Sequence, residues 1–94
     1  MNLRVPSDVV FRDLAGEAVM LNLTTGVYFG LDAVGTRMWH LIAERGSTEK
    51  VLEVLLTEYD VEDARLRHDL DRLIRQLMEK GLLTTDGEET PKAV

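Results

Sequence analysis

The spacing of apolar side chains changes period at Asp32, and that change leaves few folds open to this chain. From Glu17 to Leu23 the pattern alternates, with Val19, Leu21 and Leu23 on one face and Ala18, Met20 and Asn22 on the other. A period of two is that of a β-strand. Thr24-Thr25-Gly26 then makes a short hairpin loop, its glycine free to take a positive φ. Val27 to Leu31 returns as a strand, with Val27, Phe29 and Leu31 on one side and Tyr28 and Gly30 on the other. Beyond Asp32 the period becomes helical. Asp32 suits the N-cap of a helix from about Ala33 to Arg45, with Val34, Met38, Leu41 and Ile42 as its apolar set, Trp39 beside them and Gly46 as its stop.

The same reasoning extends in both directions. Val9 to Leu14 reads as a strand before the hairpin, joined to it by a turn at Ala15, Gly16 and Glu17. Residues 1–7 lead in as an arm whose pairing Pro6 is expected to break. Ser47 or Thr48 caps a second helix to about Glu58, with Val51, Leu52, Leu55 and Leu56 inward and Tyr59 closing it. Asp60 is the expected cap of a third helix to about Lys80. Its seam is Leu66, Leu70, Leu73 and Leu77, widened by Ile74 and Met78. Lys80-Gly81-Leu82 has the form of a Schellman stop, and Leu82 to Thr85 can extend beyond it. Residues 86–94 are polar and expected to be a disordered tail, which leaves one domain over residues 1–85. Strands followed by helices predict an α+β fold, a three-stranded antiparallel sheet with three helices on one face.

Composition narrows the function. A chain of 94 residues supports one modest core. It has no cysteine, hence no disulfide framework and no thiol chemistry, which fits a reducing, cytoplasmic setting. The first ten residues lack the apolar core of a secretory signal, and no apolar run reaches membrane-spanning length. A net charge of −6 disfavours a phosphate backbone as partner.

Catalytic groupings are hard to assemble from these residues. His40 and His68 are far apart in sequence and lack a ligand at i+4, so they read as partly exposed surface side chains. Glu58, Asp60, Glu62 and Asp63 cluster between the last two helices, but capping and helix-dipole stabilisation explain them better than a cation does. The glycines are too scattered for a phosphate loop. No enzyme activity and no cofactor are expected. The third helix carries Arg65, Arg67, Arg72, Arg75 and Lys80, which raises a DNA-binding winged helix as the alternative. Acids in the same span, with Asp63–Arg67 and Asp71–Arg75 at i,i+4, favour a solvated, salt-laced face. Gly30, inside a strand, marks either a bulge or tight packing, or a place where another backbone comes close.

The segment LNLTTGVYFGLDAVGTRMWHLI, followed by ERGSTEKVLEVLLTEYDV and a last helix ending LMEKGLL, resembles the PqqD-like family. Its members are also called RiPP recognition elements, after the ribosomally made, post-translationally modified peptides they serve. The likeness covers roughly residues 8–84 and rests on Thr25-Gly26-Val27-Tyr28 into Leu31-Asp32, Gly35 with Met38-Trp39, and Lys80-Gly81-Leu82-Leu83. It implies a winged helix-turn-helix-like domain that binds the leader of a precursor peptide as an added strand. It also implies delivery to a maturation enzyme, either a leader peptidase, as in lasso-peptide biosynthesis, or a radical SAM enzyme, as in pyrroloquinoline quinone biosynthesis. Neither nucleic acid nor membrane is an expected partner, and a monomer is expected in dilute solution. Strand addition uses an open edge for affinity and alternate side-chain pockets for specificity. Val27, Tyr28, Phe29, Gly30 and Leu31 are therefore the candidate edge. Arg67, Leu70, Asp71, Ile74, Arg75 and Met78 are the candidate groove wall.

Overall fold

The computed structural model describes residues 2–85. The tail expected over 86–94 lies outside them. Strands β1 (Leu3–Arg4), β2 (Val9–Leu14), β3 (Glu17–Asn22) and β4 (Tyr28–Gly30) come first. Helices α1 (Ala33–Arg45), α2 (Thr48–Glu58) and α3 (Asp63–Glu79) follow, and β5 (Thr84–Thr85) closes the order. The main sheet is antiparallel with β3 in the middle, in the order β2-β3-β4. This is the α+β architecture that the change of period predicts.

The register sorts the side chains. Phe11, Met20 and Phe29 lie in one row, and Val10, Leu21 and Tyr28 in the next. The first row faces the helices: Met20 is fully buried and the Phe11 ring meets Trp39 edge-on at 5.4 Å. Tyr28, in the outer row, is 72% exposed. Two-residue reversals need left-handed backbone, and the β2–β3 turn places Ala15 at φ 55° and Gly16 at φ 85°.

Helix ends follow local chemistry. Asp32 Oδ1 accepts from Gly35 N at 2.8 Å, and Ser47 is the N-cap of α2. At the far end of α3, Gly81 takes φ 73°. Leu82 N donates to Leu77 O and Gly81 N to Met78 O, the paired bonds of a Schellman stop. The start of α3 departs from expectation. Tyr59 and Asp60 are not helical, Asp60 caps nothing, and the helix opens at Asp63 with Glu62 in the cap position making no side-chain bond.

The arm also departs. Pro6 does not prevent pairing before it: Leu3 and Arg4 pair antiparallel with Thr85 and Thr84. Leu3 N donates to Gly46 O, and the Leu3 side chain is buried. A proline forbids only its own N–H, so residues two and three positions away remain able to pair. The core then runs from Leu3 through Met20, Trp39, Leu41, Ile42, Val51 and Leu55 to Leu70, Ile74, Leu77 and Leu82. Val34, assigned to the α1 core face by its spacing, is instead 45% exposed.

Candidate peptide-binding groove

The open edge of β4 is defined by which backbone groups its neighbour already uses. Leu31 N donates to Ala18 O, and Asn22 N donates to Val27 O, both at 2.9 Å. Antiparallel bonding alternates, so Phe29 pairs with Met20 between them. The N–H and C=O groups of Tyr28 and Gly30 therefore point away from the sheet. The other edge, β2, carries Arg12 and Asp13, charged residues of the kind that discourage strand pairing, while β4 carries none.

Two buried polar side chains fix this edge. Thr36 Oγ1 accepts from Ala18 N at 2.8 Å and ties α1 to the end of the β3–β4 ladder. Asn22 Nδ2 donates to Gly81 O at 2.8 Å, while its Oδ1 accepts from the backbone N–H groups of Thr24 and Thr25. The hairpin loop is thereby fastened to the end of α3. Neither long-range bond is legible in the sequence, because Thr36 is 18 residues from Ala18 and Gly81 is 59 from Asn22. The only local signal was a polar residue, Asn22, on the inward side of an alternating strand.

Between the β4 edge, the start of α1 and α3 lies a groove of about 490 Å³. Phe29, Gly30, Leu31, Val34, Gly35 and Met38 line one side. Arg65, Asp69, Arg72, Leu73 and Gln76 line the other. Lys80 Nζ sits 5.2 Å from the centre of the Phe29 ring, a cation–π contact across one end. A Cβ built on Gly30 meets nothing within 4 Å, so no packing within the chain requires glycine there. That removes tight internal packing as its explanation.

The expected edge residues come together here: Phe29, Gly30 and Leu31 line the groove, and Val27 and Tyr28 continue the strand outward. The expected α3 residues do not join them. Leu70 and Ile74 are 1% exposed and belong to the core. Arg67, with Leu70 and Asp71, borders a separate cavity of about 280 Å³ beside Thr48 and Leu52 of α2. Arg75 pairs with Asp71 at 3.1 Å, and Arg67 pairs with Asp63. Met78 is 38% exposed and not part of the groove lining. The flank of α3 that faces β4 is 65, 69, 72 and 76, one step around the helix from the expected one. The seam Leu66–Leu70–Leu73–Leu77 has a flank on each side, and periodicity alone does not tell which of them meets the sheet.

Among the described residues, no three His, Asp or Glu side chains converge as a metal site requires. Nor is any described helix long and apolar enough to cross a membrane. His40 Nε2 lies 3.0 Å from Asp13 Oδ1, on the opposite side of the sheet from the groove edge.

Comparison with known proteins agrees with this fold. A solved structure described as TbiB1 in complex with the TbiA(beta) leader peptide is 39% identical over 85% of this chain and 93% of that one, with a TM-score of 0.80. A second, described as lasso peptide synthetase B1 complexed with the leader peptide, is 21% identical over 89% of this chain and 99% of that one. Its TM-score of 0.79 supports the fold. Comparison with curated proteins gives no match. The family described as Coenzyme PQQ synthesis protein D (PqqD) matches residues 17–83, from the start of β3 to the residue before β5, and this chain belongs to that family.

Proposed function

We propose that this chain is a non-catalytic adaptor that captures the leader region of a ribosomally synthesised precursor peptide and presents it to a maturation enzyme. The leader adds as a strand beside β4, bonding to the backbone of Tyr28 and Gly30, and every second side chain enters the groove against α3. The observation that carries this reading is the pairing of an open, uncharged strand edge with a groove directly beside it. The likeness to TbiB1, whose structure contains a leader peptide, supports it. The enzyme served is a leader peptidase or a radical SAM enzyme, and the 39% identity to TbiB1 favours the lasso-peptide type of leader. The adaptor itself needs no cofactor.

The alternative, a DNA-binding regulator, is less well supported. Two of the arginines that suggested it, Arg67 and Arg75, are paired with acids of their own helix. The net charge of −6 also opposes approach to a phosphate backbone.

Calorimetric titration with the TbiA(beta) leader, and with peptides selected from a random displayed library, tests the proposal. Binding that Gly30→Pro weakens at least tenfold, with the melting temperature held, is the expected result. Equal affinity in a folded Gly30→Pro variant contradicts strand addition.

A further inference from the structure

The four arginines of α3 divide by face. Arg67 and Arg75 point away from the groove, and each pairs with the acid one turn before it. Arg65 and Arg72 line the groove, and among the described residues neither has a carboxylate within ion-pair distance. Two acids also line the groove. Asp32 is committed to capping α1 through Gly35 N. Asp69 stands four residues after Arg65, the less favourable order for an i,i+4 pair, and bridges neither arginine. The rest of the lining is largely apolar: Leu31, Val34, Met38 and Leu73. A protein of net charge −6 thus keeps two uncommitted guanidinium groups beside an apolar floor and an open strand edge.

Guanidinium is a rigid fork of donors matched to carboxylate, and charge-assisted pairs of this kind are strong and directional. An added strand presents alternate side chains to the groove, so its groove-facing positions are two residues apart. Resting on the strand-addition reading, we infer that the groove selects an acidic-apolar strand. One groove-facing side chain is a carboxylate held by Arg65 and Arg72, and a neighbouring groove-facing side chain is apolar and seats against Leu31, Val34 and Met38. Arg65 and Arg72 are the specificity-determining residues of this choice, and the backbone of Tyr28 and Gly30 supplies sequence-independent affinity.

The test is a selection of random displayed peptides about a dozen residues long against the full chain, run in parallel on the Arg65→Gln/Arg72→Gln double variant. Both arginines are exposed, so the variant is expected to fold, and its thermal melt checks this. The wild-type chain is expected to enrich Asp or Glu at one position with an apolar residue two positions away. Changing that acid to its amide in the best binder is expected to weaken wild-type binding about tenfold and to leave binding to the double variant unchanged. Two results overturn the inference while leaving the adaptor in place. One is a set of peptides that shift the Tyr28 and Gly30 amides yet show no acid preference. The other is an acid-to-amide loss of equal size in both proteins. If no enriched peptide shifts those amides, the adaptor reading and this inference fail together.

Discussion

Asn22 reaches from the end of β3 to the carbonyl of Gly81, with its Nδ2 2.8 Å from that oxygen, and joins the hairpin to the glycine that follows α3. Both sides of the groove depend on it. The hairpin carries the β4 edge, and α3 carries the opposite wall. At 5% exposed, Asn22 has little access to water that could replace these bonds.

Asn22→Ala therefore leaves Gly81 O and the Thr24 and Thr25 N–H groups without their partner. The expected loss is about 2 kcal/mol, the usual cost of unsatisfied buried polar groups. Urea unfolding measures it. Peptide affinity is expected to fall as well, because the edge and the helix lose their tie.

The charged link between α1 and α2 predicts a pH dependence. Arg37 donates to both carboxylate oxygens of Glu58, with Nε 2.9 Å from Oε1. This hydrogen-bonded pairing holds the Glu58 carboxyl below its ordinary range. A depressed carboxyl stabilises the fold above its unfolded-state pKa, and that contribution is lost as pH falls through the lower, folded-state value. Glu58→Gln is expected to leave a shallower acid limb in a plot of stability against pH. An unchanged limb contradicts the assignment.

Ala15 occupies left-handed backbone at φ 55°, where a Cβ is strained. Ala15→Gly is expected to raise stability by about 1 kcal/mol by relieving that strain. The measure is the denaturant midpoint, with peptide affinity unchanged.

Leu70 and Ile74 separate core from groove. Each is 1% exposed, so Leu70→Ala or Ile74→Ala is expected to cost about 2–5 kcal/mol of stability. Arg75→Gln, on the flank away from the groove, is expected to leave peptide affinity unchanged. A large affinity loss in folded Arg75→Gln would restore the outer flank of α3 as the binding wall.

How much of this was legible in the sequence depended on range. The strand alternation through Met20, the Asp32 cap and the Gly81 stop are set within a few residues, and each is present in the structure. The pairing of Leu3 with Thr85 joins the two ends of the described chain, and no local pattern encodes it. The groove was half legible. Its β4 side follows from alternation, but its α3 side requires knowing how the helix is rotated against the sheet. The Asn22–Gly81 bond and the placing of Leu73 across the groove from Met38 belong to that long-range geometry.

The alternation of the β4 backbone gives the most direct test of strand addition. Amide hydrogen exchange is followed by NMR with and without a peptide that binds by calorimetry. In the free protein, Phe29 and Leu31 are expected to be protected by their bonds to β3, and Tyr28 and Gly30 to exchange fast. With peptide bound, Tyr28 and Gly30 are expected to become protected while Phe29 and Leu31 change little. Fast exchange at Tyr28 and Gly30 in the saturated complex would contradict a leader bound as a fourth strand.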